Sequence, residues 1–169
     1  QDSLWLVKFY DKKNNILQEV ISFSNDDLDV KQGIYQLYDN NILIEEGNYV
    51  RGYKTGIWSK YFPNHDLKEK VAYVLGKMDG PIIAYWDNKQ LKKEGTYKLG
   101  TKVSIWKMFL NDGQLILDEN YDTNGQLIKS AYFDATGNKA NFPVILTQPT
   151  FVGGLPNFYQ TIMARMKYP

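Results

Sequence analysis

Along residues 43–121 the apolar positions recur with a fixed step of 24. Leu43, Leu67, Leu91 and Leu115 form one column, and Tyr49, Tyr73, Tyr97 and Tyr121 a second. Tyr61, Tyr85 and Phe109 form a third, and Gly52, Gly76 and Gly100 a fourth. Trp58 recurs as Trp106 with Ile82 between them, and Gly56 and Gly80 are followed by Ser104. Columns in phase over this length are the signature of a structural repeat. Each unit reads as two short strands around a polar turn: Asp39-Asn40-Asn41, Asn64-His65-Asp66, Asp87-Asn88-Lys89 and Asn111-Asp112-Gly113. Asn, Asp and Gly tolerate positive φ, so these are hairpin turns. A second turn per unit is expected across Gly52–Gly56, Gly76–Gly80 and Gly100–Ser104, joining one hairpin to the next. The predicted fold is mainly β, an elongated twisted array of antiparallel hairpins.

Strand periodicity makes further claims. Leu and Tyr of the second strand stand six residues apart, so alternation puts them on one face. That face then reads Leu43, Glu45, Gly47, Tyr49 and Leu91, Lys93, Gly95, Tyr97, the opposite one being mostly wettable. Gly47 and Gly95 leave mid-strand gaps across which Trp58 and Trp106 can lie. Glu46, Lys70 and Glu94 share a column, which sets opposite charges on neighbouring hairpins side by side. The pattern loosens at both ends. Residues 1–30 hold Trp5, Phe9, Tyr10 and a turn at Asp11–Asn15, a degenerate N-terminal hairpin or cap. After Tyr121 the turns at 124–126 and 136–138 mark shorter hairpins, as end units must blunt an open sheet edge.

The units resemble MORN repeats, in particular the variant repeats of YwqK-type antitoxins. The resemblance covers about residues 31–139 and is carried by Gly56-Ile57-Trp58-Ser59-Lys60-Tyr61, by the run from Leu91 to Gly100, and by Ile105-Trp106-Lys107-Met108-Phe109. It implies a scaffold for binding proteins, in some relatives lipids. The pattern departs at Pro81-Ile82-Ile83, which lacks Trp, and at Val103-Ser104, which lacks Gly.

From residue 141 the composition changes. Residues 142–149 read as an extended linker or edge strand with a proline near each end, and Pro156 opens a short amphipathic helix with Leu155, Phe158, Tyr159, Ile162, Met163 and Met166 on one side. Pro149, Phe151, Gly153, Gly154, Tyr168 and Pro169 resemble the start of the C-terminal domain of TonB, with Val152 in place of a proline. The resemblance implies an envelope or periplasmic location in a Gram-negative cell, and a chain that is either a fragment of a longer polypeptide or carries a degenerate relic of that domain.

Composition narrows the chemistry. Lys and Arg total 20 against 19 Asp and Glu, which excludes the basic excess of a dedicated nucleic-acid binder. There is no Cys and one His, so thiolate zinc sites and multi-His sites are excluded within the chain. No apolar run reaches the length of a membrane-spanning helix. His65 beside Asp66 reads as a turn residue rather than an acid–base pair. Asp26, Asp27 and Asp29 lack the glycine and closing glutamate of a calcium loop. Gly153-Gly154 reads as turn chemistry. No cofactor, metal site or catalytic constellation is expected.

Aromatics make up 15% of the chain, and the repeat accounts for many of them. The first strand of each unit is apolar on both faces: Trp58 and Phe62, Ile82 and Trp86, Trp106 and Leu110 on one, Ile57 and Tyr61, Ile83 and Tyr85, Ile105 and Phe109 on the other. A single-layer sheet leaves one of these columns exposed, which makes Tyr61, Tyr85, Phe109, Trp58, Trp86 and Trp106 the candidate binding surface, unless the array coils so that both columns are buried or the C-terminal helix covers one. The expected function is a non-enzymatic scaffold for a protein partner. The alternatives are a cell-wall glycan held by the aromatic ladder, or a toxin neutralised by an antitoxin.

Overall fold

The computed structural model describes residues 4–134 and 136–140. Twelve strands follow one another: Trp5–Tyr10 (β1), Leu17–Phe23 (β2), Lys31–Asp39 (β3), Ile42–Val50 (β4), Tyr53–Tyr61 (β5) and Leu67–Val74 (β6). Then come Lys77–Tyr85 (β7), Leu91–Lys98 (β8), Thr101–Phe109 (β9), Leu115–Tyr121 (β10), Leu127–Phe133 (β11) and Lys139–Ala140 (β12). They form one open antiparallel sheet in chain order. At about 4.8 Å per strand its width is about 53 Å. The expected linker and helix of 141–169, with the landmarks Pro149, Phe151, Gly153, Gly154, Tyr168 and Pro169, lie outside the described residues.

Two turn types alternate. Arg51-Gly52, Leu75-Gly76 and Leu99-Gly100 all have positive φ and connect directly paired residues, Val50 with Tyr53, Val74 with Lys77 and Lys98 with Thr101. This two-residue geometry matches the twist of the flanking strands. Gly52, Gly76 and Gly100 are therefore turn residues, whereas Gly56, Gly80 and Ser104 are not, contrary to expectation. They lie inside strands. The units are joined by two-residue hairpins, tighter than the loops between Tyr61 and Leu67 or Tyr85 and Leu91 within them, and the array is one continuous meander.

At the opposite rim, His65, Lys89, Gly113, Gly125 and Gly137 occupy equivalent positions with φ between 67° and 88°. His65 N donates to Phe62 O at 2.9 Å, and Lys89 N to Trp86 O at 3.0 Å. Asx side chains complete these loops, as when Gln90 N donates to Asn88 Oδ1 at 3.0 Å.

Two bulges per unit shape the strands. The first is a two-residue excess on β3, β5, β7 and β9. Between the pairs Glu46–Ser59 and Asn48–Thr55, β4 advances two residues and β5 four. Gly33, Gly56, Gly80 and Ser104, all at positive φ, sit in these excursions. The second is a one-residue excess on the even strands. Lys60 faces Glu69 while Tyr61 faces Leu67, so Lys68 is extra. Ile44, Lys92 and Ile116 are extra in the same way.

This second bulge corrects the strand reading. Leu67 lies opposite Tyr61 and Tyr73 opposite Gly56, so leucine and tyrosine of one strand stand on opposite faces. The even spacing misleads because one residue of the six does not advance the pleat. Tyr61, Tyr85 and Phe109 instead meet Leu67, Leu91 and Leu115 across the strands. The charge column also fails. Ser59 separates Glu46 from Lys70, and Ile83 separates Lys70 from Glu94.

Apart from a second buried patch formed by Val20, Ile21 and Phe23 of β2, the main core cluster is a row on one face of the sheet. Trp58, Val71, Ile82 and Trp106 are buried, flanked by Tyr35, Tyr49, Tyr73, Met78, Tyr97 and Tyr121. A flat ring becomes buried in a single layer because its floor is a glycine. A Cβ on Gly47 would stand 2.3 Å from the Trp58 ring, and one on Gly95 2.3 Å from Trp106, as the mid-strand gaps predict. Where Ile82 replaces Trp, Val71 replaces Gly, which keeps the local volume nearly constant. The bulges also leave carbonyls free, and the indoles take them. Trp58 Nε1 donates to Asn48 O at 3.3 Å and Trp106 Nε1 to Thr96 O at 3.1 Å. Lysines form the roof: Lys54 Nζ lies 3.6 Å from the Trp58 ring centroid, and Lys102 Nζ 4.8 Å from that of Trp106.

Candidate functional site

The six aromatic candidates separate. Trp58 and Trp106 are 2% and 4% exposed and belong to the core. Tyr61, Tyr85 and Phe109 are half-buried on the other face, beside the leucine column. The Tyr61 hydroxyl donates to Glu46 Oε1 at 2.6 Å, and this bond, then burial, raises its pKa. Trp86 is half-buried at the rim of the core face, where its Nε1 donates to Phe109 O at 3.1 Å.

Around Trp86 the rim opens into a groove of about 640 Å³. Its walls are Phe62 and Trp86, equivalent residues of successive hairpins. Its floor is the row Lys60, Glu69, Ala84, Lys93, paired strand to strand across β5 to β8. Ala84 is too short to separate its neighbours, so Lys93 Nζ reaches Glu69 at 2.8 Å while Lys60 Nζ approaches it at 3.6 Å. Burial pushes the Glu69 carboxyl up, but the two lysines outweigh it and hold the group below its ordinary 4.5. Lys68 and Lys92, the bulge residues of β6 and β8, also line the groove, together with Tyr85, Asp87 and Asn111. Their ammonium groups lie 5.5 Å from the Phe62 centroid and 4.0 Å from that of Trp86. Lys89 Nζ ties this tip to Asp66 of the preceding one at 3.0 Å.

Lys68 and Lys92 escaped the sequence reading because alternation assigns Lys92 to the wettable opposite face. The signal was present in the 24-residue repetition of Phe62/Lys68 as Trp86/Lys92. Its meaning depended on the bulge, which re-aims the side chain.

The other face carries a separate apolar row. Ile34, Ile57, Pro81 and Ile105 each follow a positive-φ residue, and all four are exposed, Ile105 at 54%. Among the described residues no three His, Cys, Asp or Glu side chains are grouped to hold a metal ion. Nor is any helix among them long and apolar enough to cross a membrane.

Residues 78–99 match the family described as MORN repeat variant. The matched stretch is the β7–β8 hairpin with its turn, which contributes Trp86, Lys92 and Lys93 to the groove. Repeats of this family are generally scaffolds that bind proteins or membranes rather than catalytic modules. No curated protein matches the chain.

Proposed function

We propose that this chain is a non-enzymatic scaffold for protein–protein interaction at the cell envelope, part of a TonB-like envelope protein. The observation that carries the binding role is the apolar row Ile34, Ile57, Pro81 and Ile105, exposed at every second strand of an open sheet. A solvent-facing apolar row repeated with the fold is the kind of surface that partners cover. The Pro149-to-Pro169 landmarks support the envelope location, and the YwqK-like units support a role in binding proteins. A toxin as the partner would make the antitoxin reading a special case of the same function. A glycan is less well supported, because sugars stack on bare rings and Lys92 lies over Trp86.

The test is photo-crosslinking in cells with a benzophenone amino acid at Ile105 in the full chain. The reading expects one discrete protein adduct in the envelope fraction, absent when the label is placed in the core at Val71. An unlabelled envelope fraction, or adducts only with soluble cytoplasmic proteins, would overturn the location. The absence of any adduct from the whole row would overturn the scaffold role.

A further inference from the structure

We propose that the groove between the β5–β6 and β7–β8 tips binds an extended acidic segment of a partner protein, with Lys68 and Lys92 each receiving a carboxylate. The proposal rests on the scaffold reading and names the chemistry of one of its contacts.

Four lysines and two acids line the groove. Glu69 is engaged by Lys60 and Lys93. Among the described residues, Lys68 and Lys92 have no acidic partner, and Asp87 is the one acid of the groove outside an ion pair. Each free ammonium lies within cation–π reach of a ring, which biases its position while leaving N–H donors for a ligand. The groove therefore offers two pre-positioned cations between two apolar walls. The equivalent positions before and after are Ile44 and Ile116, so the charged pair is confined to the two central tips.

Spacing selects the conformation of the ligand. Lys68 and Lys92 stand on strands two apart, about 9.6 Å at the usual sheet spacing. A polyproline II segment repeats its side-chain direction every three residues, about 9.3 Å. Carboxylates at every third residue of such a segment would meet both lysines in register, with intervening prolines against Phe62 and Trp86. A β-strand presents residues three apart on opposite sides and cannot do this.

The test uses the full chain and a fluorescein-labelled peptide of four Glu-Pro-Pro repeats, followed by fluorescence anisotropy. Saturable binding that weakens with added salt is expected. Lys68→Gln and Lys92→Gln should each weaken it about tenfold, and Lys68→Glu with Lys92→Glu should abolish it. Lys129→Glu, remote from the groove, should leave it unchanged. Thermal unfolding of each variant confirms that the fold is intact, the Gln variants keeping the stems that cover the rings. No binding by the wild type, equal binding of a Lys-Pro-Pro peptide, or undiminished binding by the Glu double variant would overturn the proposal. So would binding of phosphatidylglycerol vesicles through these lysines without peptide binding, which would assign the groove to a membrane. If the peptide fails to bind while the wild type still gives an Ile105 adduct, this site falls and the scaffold reading stands; loss of that reading shows separately, as no adduct in the wild type.

Discussion

Gly95 and Trp106 behave as one structural choice made with two residues. The indole lies where a Cβ would be, with its N–H on the carbonyls of Thr96 and Val103. Gly95→Val should therefore cost about 1–3 kcal/mol by forcing the ring out of place. Combined with Trp106→Ile it should cost less than the sum of the two single changes, because the pair then copies Val71 and Ile82. Urea denaturation of the four chains measures the coupling, and strict additivity would refute the paired reading. Tyr35 makes a second prediction at this scale. Burial first, then Glu19 and Glu45, push its hydroxyl up to about 12. Between pH 10 and 12 the unfolded chain loses this proton while the folded one keeps it. Stability from this group is thus complete below pH 10 and declines as pH rises towards 12. Tyr35→Phe should flatten part of the alkaline fall in Tm; Tyr49 and Tyr73, raised chiefly by burial, keep the rest.

At the level of the hairpin, the two turn types carry different amounts of strain. Leu75 and Leu99 sit at the first positive-φ position of two-residue turns and are exposed, so each bears a backbone penalty with little packing in return. Leu99→Asn should stabilise the chain by about 1 kcal/mol, visible as a raised urea midpoint with an unchanged slope. A lowered midpoint would mean that Leu99 contributes packing the exposure does not reveal. The rim turns show the converse economy: His65 and Lys89 stand where later units use Gly113, Gly125 and Gly137. The single histidine of the chain is a turn residue, and its apparent pairing with Asp66 in sequence is a consequence of where the turn falls. Asp66 pairs with Lys89 of the next tip instead.

Among the described residues each strand hydrogen-bonds only to its sequence neighbours, and the contacts that skip a strand, such as Lys93 with Glu69 and Tyr35 with Trp58, reach no further than the next one, so stability is close to a sum over local interfaces. Removing one unit tests this directly. Deletion of residues 53–76 joins Gly52 to Lys77, an equivalent turn junction, but brings Gly47 against Ile82 in place of Trp58. The shortened chain should keep its β-sheet circular dichroism yet unfold at lower temperature. Adding Ile82→Trp should recover part of the loss by refilling the space over Gly47. A chain that cannot fold after the deletion, or one indifferent to Ile82→Trp, would contradict the nearest-neighbour picture.

The 24-residue columns, the Asn/Asp/Gly turns and the mid-strand glycines were legible in the sequence because each has a local cause: positive φ, a two-residue side-chain period, or a missing Cβ. Those causes establish the hairpin meander and place Trp58 and Trp106 over Gly47 and Gly95. What sequence could not supply is the phase of the side chains around the bulges. One extra residue in a ladder leaves the composition unchanged and reverses the facing of everything beyond it. Only pairing across strands reveals that Lys68 and Lys92 are the extra residues. The tertiary structure therefore decided which aromatics are core, which leucines meet Tyr61, Tyr85 and Phe109, and that two lysines turn into one groove. The repeat is written in local chemistry, while the binding face is set by register between strands.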